Sequence, residues 1–154
     1  MIEVIREKIL PVPPERVWAV VEPAARLPEW FAGFKSAELI SGAGLGRRQR
    51  VTGNWGRRRF EIEQTVIIYE PLKKLAWRHD RELLDGRLAA KISVRVEFRV
   101  ELEPAGAGTR VRLNSRQWPD NFLKRFLLRR VAQYRIGGMM DAALWRLEGL
   151  CGGS

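Results

Sequence analysis

One cysteine and one histidine are all that 154 residues hold of the two side chains most used for metal binding and nucleophilic chemistry. Cys151 has no partner for an internal disulfide, and one thiol makes no metal-ligand cluster; a reducing compartment suits both facts. His79 cannot be a triad base and a member of a metal cluster at once. Zinc-ligand spacing, a Walker loop, a dinucleotide fingerprint and a nucleophile elbow are also missing, so metal, nucleotide and serine-hydrolase chemistry have no residues to stand on. No metal site and no cofactor are expected. Long apolar runs are missing too. The start, MIEVIREKILPVPP, is interrupted by Glu3, Arg6, Glu7 and Lys8. It has neither the apolar centre of a signal peptide nor the length of a membrane span, and a cytoplasmic location is expected.

Acidic residues are in deficit, 18 against 28 Lys and Arg, for a formal net charge of +10. Such a field attracts nucleic acid, anionic lipid or acidic ligands. The arginines are nevertheless scattered, with clusters only at RRQR (47–50) and RRR (57–59). Nucleic acid is therefore a disfavoured partner, and membrane contact is expected to be transient at most. A chain of this length can bury roughly 70% of the surface its unfolded form exposes, enough for one core. We expect one domain over 1–150 and a flexible tail over 151–154.

What is present is mostly strand and turn. Residues 2–10 read as a strand, and prolines 11, 13 and 14 then open a short helix over 14–21. A second short helical segment covers 24–31. Between about 34 and 118, turn signals at Gly42-Gly44-Gly46, Gly53-Asn54-Trp55-Gly56, Glu70-Pro71, Asp85-Gly86 and 104–108 separate strands of an antiparallel meander. Over 92–103, Ile92, Val94, Val96, Phe98, Val100 and Leu102 alternate with charged or polar residues, as in a sheet wet on one face. After Pro119 the pattern turns helical to about Leu150, with Asp120 or Asn121 as N-cap and Gly137-Gly138 marking a bend. The fold class is α+β: a six- or seven-stranded sheet, two short helices after strand 1, and one long terminal helix large enough to cover the apolar face.

The order of elements, with VPPERVWAVV (12–21), LPEWFAGFKSAEL (27–39), YEPLKKLAWR (69–78) and the Trp118-Pro119 junction, resembles the START-like or helix-grip superfamily. These SRPBCC-type proteins include polyketide cyclase/dehydrase and lipid-transport members. The resemblance implies a curved sheet wrapped around the long helix, and a cavity between them for an apolar or aromatic molecule.

Strand parity gives that cavity candidate walls. Phe60, Ile62, Val66 and Ile68 share a parity with Gln64, and Leu75 and Trp77 share one with His79. Val111 and Leu113 share theirs with Ser115 and Gln117. A buried amide or imidazole needs a partner, water or a ligand, because leaving it unpaired costs about 1–3 kcal/mol. On a helical wheel Phe122, Leu123, Phe126, Leu127, Val131 and Tyr134 form one stripe with Arg130 near its middle. The expected cavity residues are therefore Gln64, Trp77, His79, Ser115, Gln117, Phe126, Arg130 and Tyr134. Arg130 and Tyr134 would orient a carbonyl, carboxylate or phenolate of the ligand. His79, Tyr134 and Arg130 are the candidates for acid-base work. No carboxylate has inward parity in the clear strands, which disfavours a two-carboxylate hydrolase. Trp18, Trp30, Trp77 and Trp145 also fit as core, and Trp55 as an exposed loop aromatic. The favoured function is binding or carriage of a small hydrophobic or aromatic molecule. An aromatase/cyclase-type enzyme on the same cavity is the alternative, and nucleic-acid or anionic-membrane binding through basic loops the third. Oligomeric state is not fixed by the sequence.

Overall fold

Alternation along one strand sets the pattern for the whole sheet. Phe98, Val100 and Leu102 are buried on one face of the strand Ser93–Ala105, while the other carries Arg95, Glu97, Arg99, Glu101 and Glu103. The computed structural model describes residues 1–89 and 93–152, so Ile92 and the last two tail residues lie outside the described residues. In chain order the elements are β1 (Ile2–Leu10), α1 (Pro14–Val21), a 3-10 turn (Ala24–Arg26), α2 (Leu27–Trp30), β2 (Ser36–Ser41), β3 (Arg48–Trp55), β4 (Arg58–Glu70), β5 (Lys74–Leu84), β6 (Arg87–Leu88), β7 (Ser93–Ala105), β8 (Gly108–Pro119) and α3 (Phe122–Cys151). The sheet runs β1-β8-β7-β5-β4-β3-β2, every pair antiparallel, with β6 added to β5. This is the expected α+β arrangement, with two short helices after the first strand and one long terminal helix.

The turns follow from residue type. Asp85 and Gly86 both have positive φ, 51° and 79°, as a two-residue hairpin that matches strand twist requires. Asp85 also accepts from the Arg59 amide at 2.9 Å and from Arg58 Nε at 3.0 Å. These bonds hold its carboxyl below the usual range, the backbone bond foremost. Asn121 caps α3 by accepting the Lys124 amide at 2.8 Å.

Four register shifts occur among the described residues, one at Ile40 between β2 and β3, and the other three redirect side chains of β4, β5 and β7 from where simple alternation puts them. Val66 pairs with Trp77 but Ile68 with Ala76, so Ile67 is the extra residue and Tyr69, opposite Leu75, replaces Ile68 on the inner face. Gln64 pairs with His79 but Glu63 with Arg81, so Asp80 is extra and Glu82 turns inward opposite Ile62. Between Ser93 and Arg95 the register shifts again, leaving Val94 exposed and Ser93 buried. The charged face has its own exception. Glu97 is buried, with Arg95 Nη2 at 2.6 Å and Arg99 Nη2 at 4.0 Å.

α3 packs on β1, β8, α1 and α2. Its buried residues are Ala132, Gly137, Met140, Ala143, Leu144, Leu147 and Cys151, all in the second two thirds of the helix. Helical hydrogen bonding continues through Gly137-Gly138, and close approach accounts for the first glycine. A Cβ at Gly137 would stand 2.3 Å from Arg6 Nη2, and Arg6 crosses there to donate to the Gln133 carbonyl at 3.1 Å. Lys8 lies over the Trp145 ring at 5.0 Å, and that tryptophan is an exposed lid on β1 rather than core. The helix ends on Cys151, buried with its Sγ 3.8 Å from the Arg16 carbonyl, so Cys151 is a packed residue and not part of a free tail. Burial pushes its thiol up.

Candidate functional site

The inner face of the sheet carries an aromatic wall. Trp77 stacks on Phe98 with ring centroids 5.2 Å apart and meets Trp30 edge-on at 6.5 Å. Phe31 stands edge-on to Phe98 at 5.3 Å and stacks on Phe34 at 4.7 Å. Each such pair contributes about 0.5–1.5 kcal/mol beyond area burial. α2 supplies Trp30 and its cap Phe31, so the short helix exists chiefly to seat these rings on the sheet.

A row of polar side chains crosses the same face. Glu22, at the end of α1, accepts from Arg47 Nη1 at 3.0 Å and from the Tyr69 hydroxyl at 3.3 Å. Burial and then the Glu22 charge hold the Tyr69 phenol above its ordinary range. Arg47 Nε donates to Gln49 Oε1 at 3.1 Å, and Gln49 Nε2 donates to Gln64 Oε1 at 2.8 Å. Arg47, Gln49 and Gln64 are all buried. A guanidinium can only donate, so Arg47 fixes the orientation of both amides in turn. The row ends on Gln64 Nε2, a buried donor without a partner. Trp30 Nε1 is a second unpaired buried donor, on the ring that meets Trp77.

Beyond Gln64 lies His79, its partner across β4 and β5. His79 Nδ1 is 3.0 Å from Glu82 Oε1, and the imidazole is mostly covered. β5 and β7 pair only from Lys74–Glu101 to Arg78–Glu97 and part beyond it. A cleft of about 10 Å³ opens there beside His79, Glu82, Ser93 and Val96, room for about one water molecule. Ser93 Oγ donates to Gln117 Oε1 at 3.3 Å across β7 and β8, and Ser115 is buried between Val4 and Phe98. A larger surface cleft of about 350 Å³ sits at the opposite end of the sheet, by the β4–β5 turn. Its charges of both signs, Lys73 and Arg110 among them, stand apart from this row.

Gln64, Trp77, His79, Ser115 and Gln117 therefore share the inner face. Phe126, Arg130 and Tyr134 do not join them. All three are exposed, Tyr134 by 84%, and Arg130 lies over the Phe126 ring at 5.1 Å. The reason is rotational: the apolar stripe of the first turns and the packed face of the later turns lie about 100° apart on the helical wheel. Among acid-base candidates only His79 is in the inner set, and its neighbour Glu82 was hidden by the Asp80 bulge. Parity could have found the missed members Arg47, just before β3, and Gln49 and Val51 within it, which alternate as cleanly as Gln64 and Val66 do along β4. Among the described residues no group of His, Cys, Asp and Glu is arranged to hold a metal ion, and no helix is long and apolar enough to cross a membrane.

A family model described as polyketide cyclase / dehydrase and lipid transport matches residues 1–152. The chain belongs to this family. Family and fold together support a hydrophobic-ligand or polyketide-cyclase type of role in general terms. Solved structures agree on the helix-grip fold. TTHA0849 from Thermus thermophilus is 21% identical, with 99% of this chain and 98% of that chain covered and a TM-score of 0.73. A START superfamily protein from Mycobacterium smegmatis is 13% identical, with 98% and 97% covered and a TM-score of 0.75. The di-domain ARO/CYC BexL from the BE-7585A biosynthetic pathway is 14% identical over 96% of this chain and 47% of that one, with a TM-score of 0.77. At these identities the likeness is one of fold. No curated protein matches this member of the polyketide cyclase / dehydrase and lipid transport family in sequence.

Proposed function

We propose that the protein binds or carries a small, largely apolar or aromatic molecule bearing a hydrogen-bond acceptor, held between the inner face of the sheet and the terminal helix. Gln64 Nε2 carries this reading, as a fully buried donor that its own row leaves unpaired. An unpaired buried amide costs about 1–3 kcal/mol, and a ligand carbonyl, carboxylate or phenolate would recover it. Trp30, Trp77 and Phe98 suit an aromatic or polyunsaturated body. Entry of anything larger than water requires β5 and β7 to part further or the first turns of α3 to shift. Beyond Arg78–Glu97 these two strands no longer pair, and the apolar side chains on the first turns of α3 are largely exposed.

The test is displacement of an environment-sensitive dye by paired ligands that differ only in a carbonyl. Gln64→Leu is expected to weaken the carbonyl compound about tenfold and leave the hydrocarbon unchanged. Equal affinities of wild type and Gln64→Leu for both would overturn the assignment. The His79–Glu82 pair favours a second reading, a cyclase-type enzyme in which Glu82 orients the imidazole for proton abstraction next to a ligand carbonyl. That reading requires turnover of a linear polyketone analogue that His79→Gln abolishes while dye binding persists.

A further inference from the structure

One end of the sheet gathers exposed apolar side chains. β3, β5 and β8 finish there, β4 and β7 start there, and α3 departs from it. Over the first turns of α3, Phe122, Leu123, Phe126, Leu127, Val131 and Tyr134 are all exposed, Phe122 by 82%. Trp55, in the β3–β4 hairpin at the same end, is 64% exposed. A stripe this long, left uncovered by the chain itself, calls for an occupant.

Charge says which occupant. Residues 121–140 contain Lys124, Arg125, Arg129, Arg130 and Arg135 and no Asp or Glu. Arg57, Arg58 and Arg59 flank Trp55. Of the nearby acids, Asp85 is bonded to Arg58 and Asp120 to Lys124. We propose that this end of the molecule, led by the first turns of α3, docks on an anionic lipid surface. The apolar stripe would enter the headgroup boundary while the arginines beside it take lipid phosphates. Arg130, in mid-stripe, has a stem long enough to lift its guanidinium to that level. A second copy fits worse, because it would press the same acid-free basic face against itself. A nucleic acid would meet the charges and leave the leucines and phenylalanines in water.

Flotation of the full chain with vesicles tests this. Vesicles of phosphatidylcholine mixed with phosphatidylglycerol are expected to bind the protein, pure phosphatidylcholine is not, and added salt should release it. Leu123→Ser with Leu127→Ser, and separately Arg125→Glu with Arg129→Glu, should each weaken binding about tenfold or more. All four side chains are exposed, so unchanged thermal unfolding confirms that the fold persists. Failure to float with anionic vesicles at low ionic strength overturns the proposal. So does a solution dimer dispersed by the leucine substitutions without vesicle binding, or salt-sensitive capture of DNA in place of vesicles. None of these outcomes bears on the interior site, whose test uses Gln64.

Discussion

Glu3 shows how single side chains on the outer face tie the sheet together. Its carboxylate accepts from Asn114 Nδ2 and from Arg116 Nε, each at 2.9 Å. The carboxyl is held below its ordinary range by the Asn114 bond first, with burial opposing and the Arg116 and Arg99 charges assisting. A depressed folded-state value means that the stabilisation is present above the unfolded-state value and is lost as pH falls through the folded one. Glu3→Gln should therefore destabilise by about 1 kcal/mol near neutral pH, and the difference from wild type should vanish in acid. Urea unfolding across that range checks the sign; a difference that persists in acid would show that the charge is not its source.

At the scale of elements, α3 combines two helices of different purpose. Its later turns present small and apolar side chains to β1 and the short helices, and its first turns present an apolar stripe elsewhere. The paired glycines separate two effects. Gly138 has open space where a Cβ would stand, so Gly138→Ala should stabilise by about 1 kcal/mol through helix propensity alone. Gly137→Ala should gain nothing, because Arg6 must leave the Gln133 carbonyl to admit the methyl group. Thermal unfolding of the two variants distinguishes them, and equal gains would remove the packing role given to Gly137. The elements show where a sequence is readable. Alternation in β7 and β8, the prolines before α1 and the Asn121 cap are local, and each led to the right element. Bulges are not local. Whether Ile67, Asp80 or Val94 is the extra residue depends on the partner strand, so the inward turn of Tyr69 and Glu82 could not be read from their own neighbours. The face of α3 that packs is likewise set by β1 and the short helices, elements distant from it in the chain, and not by its own apolar pattern.

For the molecule as a whole, the aromatic interior and the exposed apolar end meet where β5 and β7 part and α3 begins. Hydrogen exchange should report this division. Amides of 122–131 should exchange faster than those of the packed turns 137–151, and a bound ligand or lipid surface should slow the first group more than the second. Uniform protection along α3 would contradict that division. The buried row on the sheet also has a direction. Arg47 cannot accept, so each amide after it presents its hydrogen onward, and the row ends on an unpaired hydrogen of Gln64. On the proposed function, an ammonium group, which brings only more hydrogens, would be refused there by polarity even where its size and shape are right, so the interior would sieve its guests by lone pairs.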